Sequence, residues 1–495
     1  MGIEQGDGQT STSQPVSAPV SGPRQQSIEA DYTEAVVPQS ARRSNFRMFL
    51  MFGSMQLVFG AVLVGYTARF QGLTLGQLAL AMAVAAASMT VYCIGSANVG
   101  AVVGQTHAVT TRSIFGKAGS VLVSILLVID GMGFYLFTVL FVISLGEALL
   151  GTFPAVALLT AGLAVVMIFN NYFGFTGLQL FAQWVAMPVI IVWGVYATIK
   201  ALTSVSADVL AAVPNAATPA SFFIVVGAMV GLSTWGNEPD VFRYAKAGRK
   251  SWWNIPTIAI AYILGSFIFP IMGYLLAALS DKPDFTASIR YFADFTAFGL
   301  AGLMLFVLIV NQWAIQDGNL YIAINGSQNM LSRIPGWRRG YTVVGLGLIA
   351  GGLTFILPSL NDTFIIVTGI GSVTVPVAST IMAMDVFVVP RLFGLRRPLY
   401  RVATWSEIAM ANIPAIVALV IGTSVGLYTA GLIPWTSGYG NTYIGFPALQ
   451  AWITGAAVYL VAVALVAKSS RVRHWLGYSA LADAPTPDLV GEGVS

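Results

Sequence analysis

The stretch NQWAIQDGNLY, residues 311–321, follows LAGLMLFVLIV, residues 300–310, without interruption. A run with no charged or strongly polar side chain is thus continued by Asn311, Gln312, Gln316, Asp317 and Asn319. On a helix, Gln312, Gln316 and Asn319 share one face, Trp313, Asp317 and Tyr321 share a second, and Asn311 points a third way. Polar groups in hydrocarbon are costly unless paired, so a helix polar all round is surrounded by protein or lines a water-filled cavity. Two readings stay open. The amides fix packing through interhelical hydrogen bonds, or they present donor and acceptor edges to a planar polar solute.

The whole chain places this stretch in a membrane. Of 495 residues, 56% are hydrophobic and only 9% charged, against about 25% charged in an ordinary soluble domain. Apolar segments long enough to span recur about twelve times, at 48–69, 75–100, 118–147, 154–173, 178–200, 221–244, 253–279, 297–326, 342–358, 362–389, 408–430 and 446–468. With the N-terminus inside, the predicted outer segments hold only Arg69, Lys200, Lys282 and Arg290 of the 24 Lys and Arg residues. The positive-inside rule therefore predicts both termini in the cytoplasm and an even number of spans. The first residues lack the apolar core of a signal peptide and read as a disordered tail. The single cysteine, Cys93, excludes an intramolecular disulfide.

Two spans look interrupted: the first by FGSMQ (52–56), the sixth by GLSTWGNEPD (231–240). They head two groups of five. Interrupted segments at matching positions of two halves point to inverted repeats around a midplane site. The expected fold is an all-α membrane protein of about 12 transmembrane helices, a 5+5 inverted repeat with broken helices 1 and 6. Its parts are a disordered tail over 1–45, a first repeat over 46–200 (spans 1–5), a second over 201–390 (spans 6–10), spans 11–12 over 391–468, and a C-terminal tail over 469–495.

Several carboxylates lie inside this frame, Asp317 among them. Asp130, in LLVIDGMGFYLF (126–137), stands in the third span, where an isolated carboxylate costs about 2.5–3.5 kcal/mol on insertion scales. It reads equally as a proton acceptor, as a ligand to a substrate N–H, or as a structural acceptor. Glu238 adjoins the sixth-span interruption beside Asn237 and Pro239, whereas Asp240 precedes Arg243 by three and reads as a local ion pair. Phe134, one turn after Asp130, and Trp235 offer faces for a flat ring. His107 falls between spans and is expected to be solvated. No HExxH, CxxC or GxxxxGK[ST] motif occurs, so a metal site or an ATP-driven pump has no support. No nucleophile–base pair suggests an enzyme.

Four motifs, in order along residues 35–465, carry a family resemblance: VPQSAR (37–42), FGKAGS (115–120), NQWAIQDGNLY, and GSVTVPVAST (371–380) followed by Asp385. The chain resembles the nucleobase:cation symporters, purine-cytosine permease branch, of LeuT-like fold. The resemblance implies a substrate held between spans 1, 3, 6 and 8 and stacked between aromatics. Phe134 falls where the family has its stacking tryptophan, Asn311 on a span-8 asparagine that helps hold substrate and cation, and Gly53 on the span-1 break, with Gln56 one turn later. Met229, Gly231 and Trp235 all fit the second stacking position. Gln312, Gln316 and Gln56 would read the polar edge.

Departures shape the rest. The family's cation site resembles a pair of span-8 hydroxyls plus span-1 carbonyls, and here Ala314 and Ile315 supply no oxygen. Coupling is therefore expected to be to protons rather than sodium, through Asp130, Glu238 or Asp317, with no other cofactor. Gly131 stands where the family has an amide, so cytosine, purines, uracil, allantoin and hydantoins all stay open. The expected partners are a small heterocycle and membrane lipid, with no nucleic acid, for a monomer in the plasma or inner membrane. An amino-acid transporter of the same fold and a membrane sensor are the rival readings.

Overall fold

The structure is a computed structural model that describes residues 32–151, 162–163, 165–236, 238–246, 254–280, 282, 285–353, 360–399, 401–433 and 443–480. Most of the predicted fourth span, residues 354–358 of the ninth, Asn237, and residues 1–31 and 481–495 lie outside them. The described chain is almost entirely helical, apart from one antiparallel pairing of β1 (Leu395–Arg396) with β2 (Ser479–Ala480). Among the described residues six helices are long and apolar enough to cross a membrane, or up to eight if each bent pair forms one span.

Span 1 is one of the bent pairs. Helix α1 (Asn45–Gln56) and helix α2 (Val62–Phe70) are joined through a short turn at Phe59–Ala61, the bend being 48°. The expected break at Gly53 is displaced: Gly53 lies inside α1, its carbonyl accepts the amide of Leu57 at 2.9 Å, and the chain leaves helical geometry at Leu57 and Val58. Glycine lowers helix propensity but does not force a break. The reason for the break lies in what span 8 offers, described below.

Local signals set the next two helices. Thr74 and Gln77 form a reciprocal capping box at the start of α3 (Leu75–Val103), which ends at Gly104 in the left-handed conformation. Thr106 caps α4 (His107–Leu150), which kinks at Gly116. The VPQSAR stretch ties these ends together: Val37 N–H donates to Gly104 O at 2.8 Å, and the Arg42 guanidinium donates to the carbonyls of Ala101 and Ala245. Helix α5 (Gly174–Ser204) follows as a single span with a π-helical turn at Ala182–Ala186.

Span 6 is broken as expected, into α6 (Pro219–Ser233) and α7 (Glu238–Phe242). Gly236 lies in the break with φ +72°, and a Cβ there would stand 2.2 Å from the Val375 side chain, so no other residue fits. Helix α8 (Asn254–Ser280) packs main chain to main chain against span 1: a Cβ on Gly273 would meet Val62 O at 2.3 Å, and one on Gly65 would meet Pro270 O at 2.0 Å. Small residues at such crossings replace the hydrophobic drive that lipid cannot supply. Helix α9 (Phe285–Thr296), an amphipathic helix that the sequence reading left between spans, turns by 109° into α10 (Ala301–Leu331), which carries NQWAIQDGNLY. Helices α11 (Arg339–Leu353), α12 (Leu360–Val373), α13 (Val375–Ala383), α14 (Ile413–Thr429) and α15 (Pro447–Ala467) complete the bundle.

The main-chain crossing of α2 and α8 gives a stability test. Gly273→Leu is expected to cost about 1–3 kcal/mol or more by overpacking, seen as a lowered midpoint of thermal unfolding in detergent. Gly302→Leu, where nothing lies within 4 Å of the added Cβ, should leave the midpoint unchanged.

Candidate functional site

Helix α10 runs antiparallel against α4, and two glycines fix the register. A Cβ on Gly131 would meet Asn319 O at 2.5 Å, and one on Gly326 would meet Ser124 O at 2.8 Å. This register puts Gln316 close to the level of Phe134, within the buried stretch from Asn311 to Asn329. The amide face expected from the sequence forms. Asn319 Nδ2 donates to Gln316 Oε1 and Gln312 Nε2 to Asn311 Oδ1, both at a long 3.4 Å. Gln312 Oε1, Gln316 Nε2 and Asn319 Oδ1 remain buried with no hydrogen-bond partner among the described residues. Each amide therefore retains unmatched hydrogen-bonding capacity of the kind that buried groups normally satisfy.

The aromatic pair assembles beside it. Phe134 and Trp235 are both buried, with ring centroids 6.4 Å apart and planes inclined by 62°. Of the three span-6 alternatives Trp235 is the one whose ring meets Phe134, and its indole N–H is held by Leu232 O at 2.7 Å. Gly231 instead abuts span 10, where a Cβ would lie 2.2 Å from Thr368 O. Met229 is buried within α6. The two rings touch edge to face, the arrangement favoured by rings in direct contact. The expected parallel sandwich is thus not formed in this conformation.

Asp130 and Phe134 share a wall with Gly371: a Cβ there would stand 2.8 Å from Asp130 Oδ1 and 2.7 Å from the Phe134 ring. Asp130 Oδ2 is buried without a hydrogen-bond partner among the described residues. Glu238, fully buried, accepts from Tyr92 O–H at 3.1 Å and Ser96 O–H at 2.9 Å through one oxygen, while the other has no hydrogen-bond partner among the described residues. Tyr92, Ser96 and Gly371 were not singled out in the sequence. A hydroxyl inside an apolar helix such as Ser96 was the available signal. Gln56, at the end of α1, is buried with both amide atoms lacking a partner.

Asp317 is placed elsewhere. Its Oδ2 accepts from Asn170 Nδ2 at 2.9 Å, and Asn171 Nδ2 donates to its main-chain oxygen at 3.2 Å, which ties α10 to the short helix Phe169–Tyr172. Asn311 is committed to main chain: Oδ1 accepts from Phe59 N–H at 2.7 Å and Nδ2 donates to Leu57 O at 2.6 Å. His107 is fully buried rather than solvated, because its Nδ1–H donates to Gly236 O at 2.6 Å and its N–H to Asp240 Oδ1 at 3.0 Å. Asp240 also accepts from Asn325 at 2.9 Å, and its main-chain oxygen accepts from Arg243 Nε at 3.2 Å. A separate groove of about 650 Å³, lined by Val84, Phe223, Val425, Phe446 and Ile453, contains none of these residues.

Sequence and structure comparisons find relatives for this chain. The chain is 25% identical over 417 residues to the cytosine permeases of Escherichia coli K12 and O157:H7, covering 82% of this chain and 91% of each relative. Mhp1, a nucleobase-cation-symport-1 family transporter, in a closed conformation with bromovinylhydantoin bound, matches with TM-score 0.69 at 16% identity, covering 90% of this chain and 95% of Mhp1. The chain is a homologue of cytosine permease. No family model matches it. A Na+-coupled sialic acid symporter shares the fold at TM-score 0.60 and 11% identity. The protein is a multi-pass membrane transporter of LeuT-like fold, not an enzyme, because its relatives are permeases and symporters.

The shared wall at Gly371 supplies a test of the site. Gly371→Ala would move only the Phe134 ring and the Asp130 carboxylate, so the folded yield should be kept. Apparent affinity for a transported solute should fall roughly tenfold, measured by competition uptake.

Proposed function

We propose that the protein imports a nucleobase, cytosine or a purine, or a closely related heterocycle, by proton symport across the plasma or inner membrane, with both termini cytoplasmic. The observation that carries this reading is the row of half-satisfied amides, Gln312, Gln316 and Asn319, along the helix that packs against the one carrying Phe134. A nucleobase has an aromatic face for Phe134 and Trp235 and a rim of alternating donors and acceptors. Buried amides with one arm unpaired suit such a rim, because the solute supplies the missing partners and desolvation is repaid. Gln56 adds an amide from the span-1 side, and Gly231 lets α6 approach the main chain of span 10; at Gly53 a Cβ would meet only side-chain ends at 3.4 Å or more.

Proton coupling is supported by what the site offers a cation. Ala314 and Ile315 carry no oxygen, which disfavours sodium at that position, since hard cations take oxygen ligands. Among the described residues, Asp130 and Glu238 each have a carboxylate oxygen without a hydrogen-bond partner, which suits a group that gains and loses a proton. Asp317, bonded to Asn170, has less freedom to do so. Transport would proceed by alternating access, one group of helices rocking against the other around the midplane site.

A second reading is a hydantoin, allantoin or uracil permease. The fold likeness to Mhp1, whose structure holds bromovinylhydantoin, supports it, since these rings present a comparable imide edge. An amino-acid transporter of the same fold has less support, because an aromatic wall and a row of amides offer a carboxylate no cation.

Labelled cytosine uptake in cells without their own nucleobase permeases tests both parts. Uptake should persist without sodium and collapse with a protonophore at a controlled sodium gradient. Asp130→Asn and Glu238→Gln should abolish accumulation, while Asp317→Asn keeps the pH dependence. Sodium-dependent uptake would sink the coupling proposal. Competition by a hydantoin with no cytosine uptake would select the second reading.

A further inference from the structure

Where span 1 breaks, α1 ends with a free carbonyl at Leu57 and the following turn begins with a free N–H at Phe59. A helix end leaves such groups unsatisfied, and an apolar interior offers no water to take them. Both are taken by one side chain from another helix: Asn311 Nδ2 donates to Leu57 O at 2.6 Å, and Asn311 Oδ1 accepts from Phe59 N–H at 2.7 Å. Asn311 is 1% exposed, so neither bond is exchanged for one with bulk water in this conformation.

We propose that Asn311 is a positioning residue that caps both halves of broken span 1 with a single amide and so pins the break to span 8. An amide is suited to this task because it carries a donor and an acceptor on one planar group. The two atoms lie on either side of Val58, within a bend of 48°, and one side chain bridges them. Gln312 Nε2 reaches the same Asn311 Oδ1 at 3.4 Å, so the pin adjoins the row of amides offered to the solute. A solute that draws Gln312 toward itself removes a competing donor from Asn311 Oδ1, which leaves that oxygen wholly to Phe59. The consequence for turnover rests on the transporter reading, because only a moving span 1 needs a pin. The bonding role does not.

Hydrogen–deuterium exchange on the purified full-length protein tests the pin without any substrate. In Asn311→Ala, peptides covering residues 52–62 should exchange about tenfold faster than in the wild type once intrinsic rates are corrected. Peptides from α15 should keep their protection. Asn311→Asp supplies the decisive comparison. Its carboxylate accepts from Phe59 but sets an anionic oxygen against Leu57 O, whereas its acid form can donate there. Protection of 52–62 should therefore be lost at a pH where the introduced carboxyl is ionised and recovered where it is protonated in Asn311→Asp, with no such pH dependence in Asn311→Ala. Wild-type protection in Asn311→Ala, no change in the protection of Asn311→Asp from acid to strongly alkaline pH beyond that of the wild type, or loss of protection spreading to α15 would each overturn the proposal. In uptake assays the pin predicts a fall in maximal rate with little change in KM. A raised KM with unchanged exchange would make Asn311 a substrate contact instead.

Discussion

A helix interrupted inside apolar surroundings leaves main-chain N–H and C=O groups that cost about 1–3 kcal/mol each if unmet. The architecture of this protein depends on how that debt is met at two breaks. In span 1 a single asparagine of span 8 meets it from both sides. In span 6 the carbonyl of Gly236 is taken by the His107 ring and by the Ser379 hydroxyl, at 2.6 and 3.2 Å. The residues that hold the breaks sit on spans 3, 8 and 10, while the breaks belong to spans 1 and 6. Irregular backbone survives at this depth because it is buried in protein, and it places the ends of half-helices beside Phe134, Trp235 and the amides.

The buried carboxylates separate by how completely they are met. Asp385 accepts from Arg397 at 3.0 Å and from the hydroxyls of Tyr459 and Tyr478, so spans 10 and 12 and the β1–β2 pairing are tied at one point. A buried carboxylate that accepts from a guanidinium and two hydroxyls rigidifies its surroundings. Asp130 and Glu238 are different, each with an oxygen that has no hydrogen-bond partner among the described residues. The same chemical group thus serves as a fastener in one place and as a candidate for exchange in another. The surrounding donors, not the residue type, make the difference.

The sequence by itself determined much of this. Low charge and recurrent apolar runs required a membrane bundle, and among the described residues helices stand where the runs do because main-chain groups in lipid have no other partners. The GLSTWGNEPD interruption and the all-round polarity of 311–321 marked a broken span and a buried face. What the sequence left open were matters of which helix meets which. Gly53 was expected at the span-1 break, yet the break falls at Leu57 and Val58, where Asn311 reaches it. His107 was expected in water, yet it is buried against Gly236. The resemblance implied a site role for Asn311, and Asp317 was one of three candidate coupling groups; which partners they meet was not legible, and tertiary contacts bond Asp317 to Asn170 and Asn311 to main chain. Periodicity reports the local cost of exposing a side chain, so it names faces well. It carries no information on the partner across a helix crossing, and hydrogen-bond satisfaction is decided there.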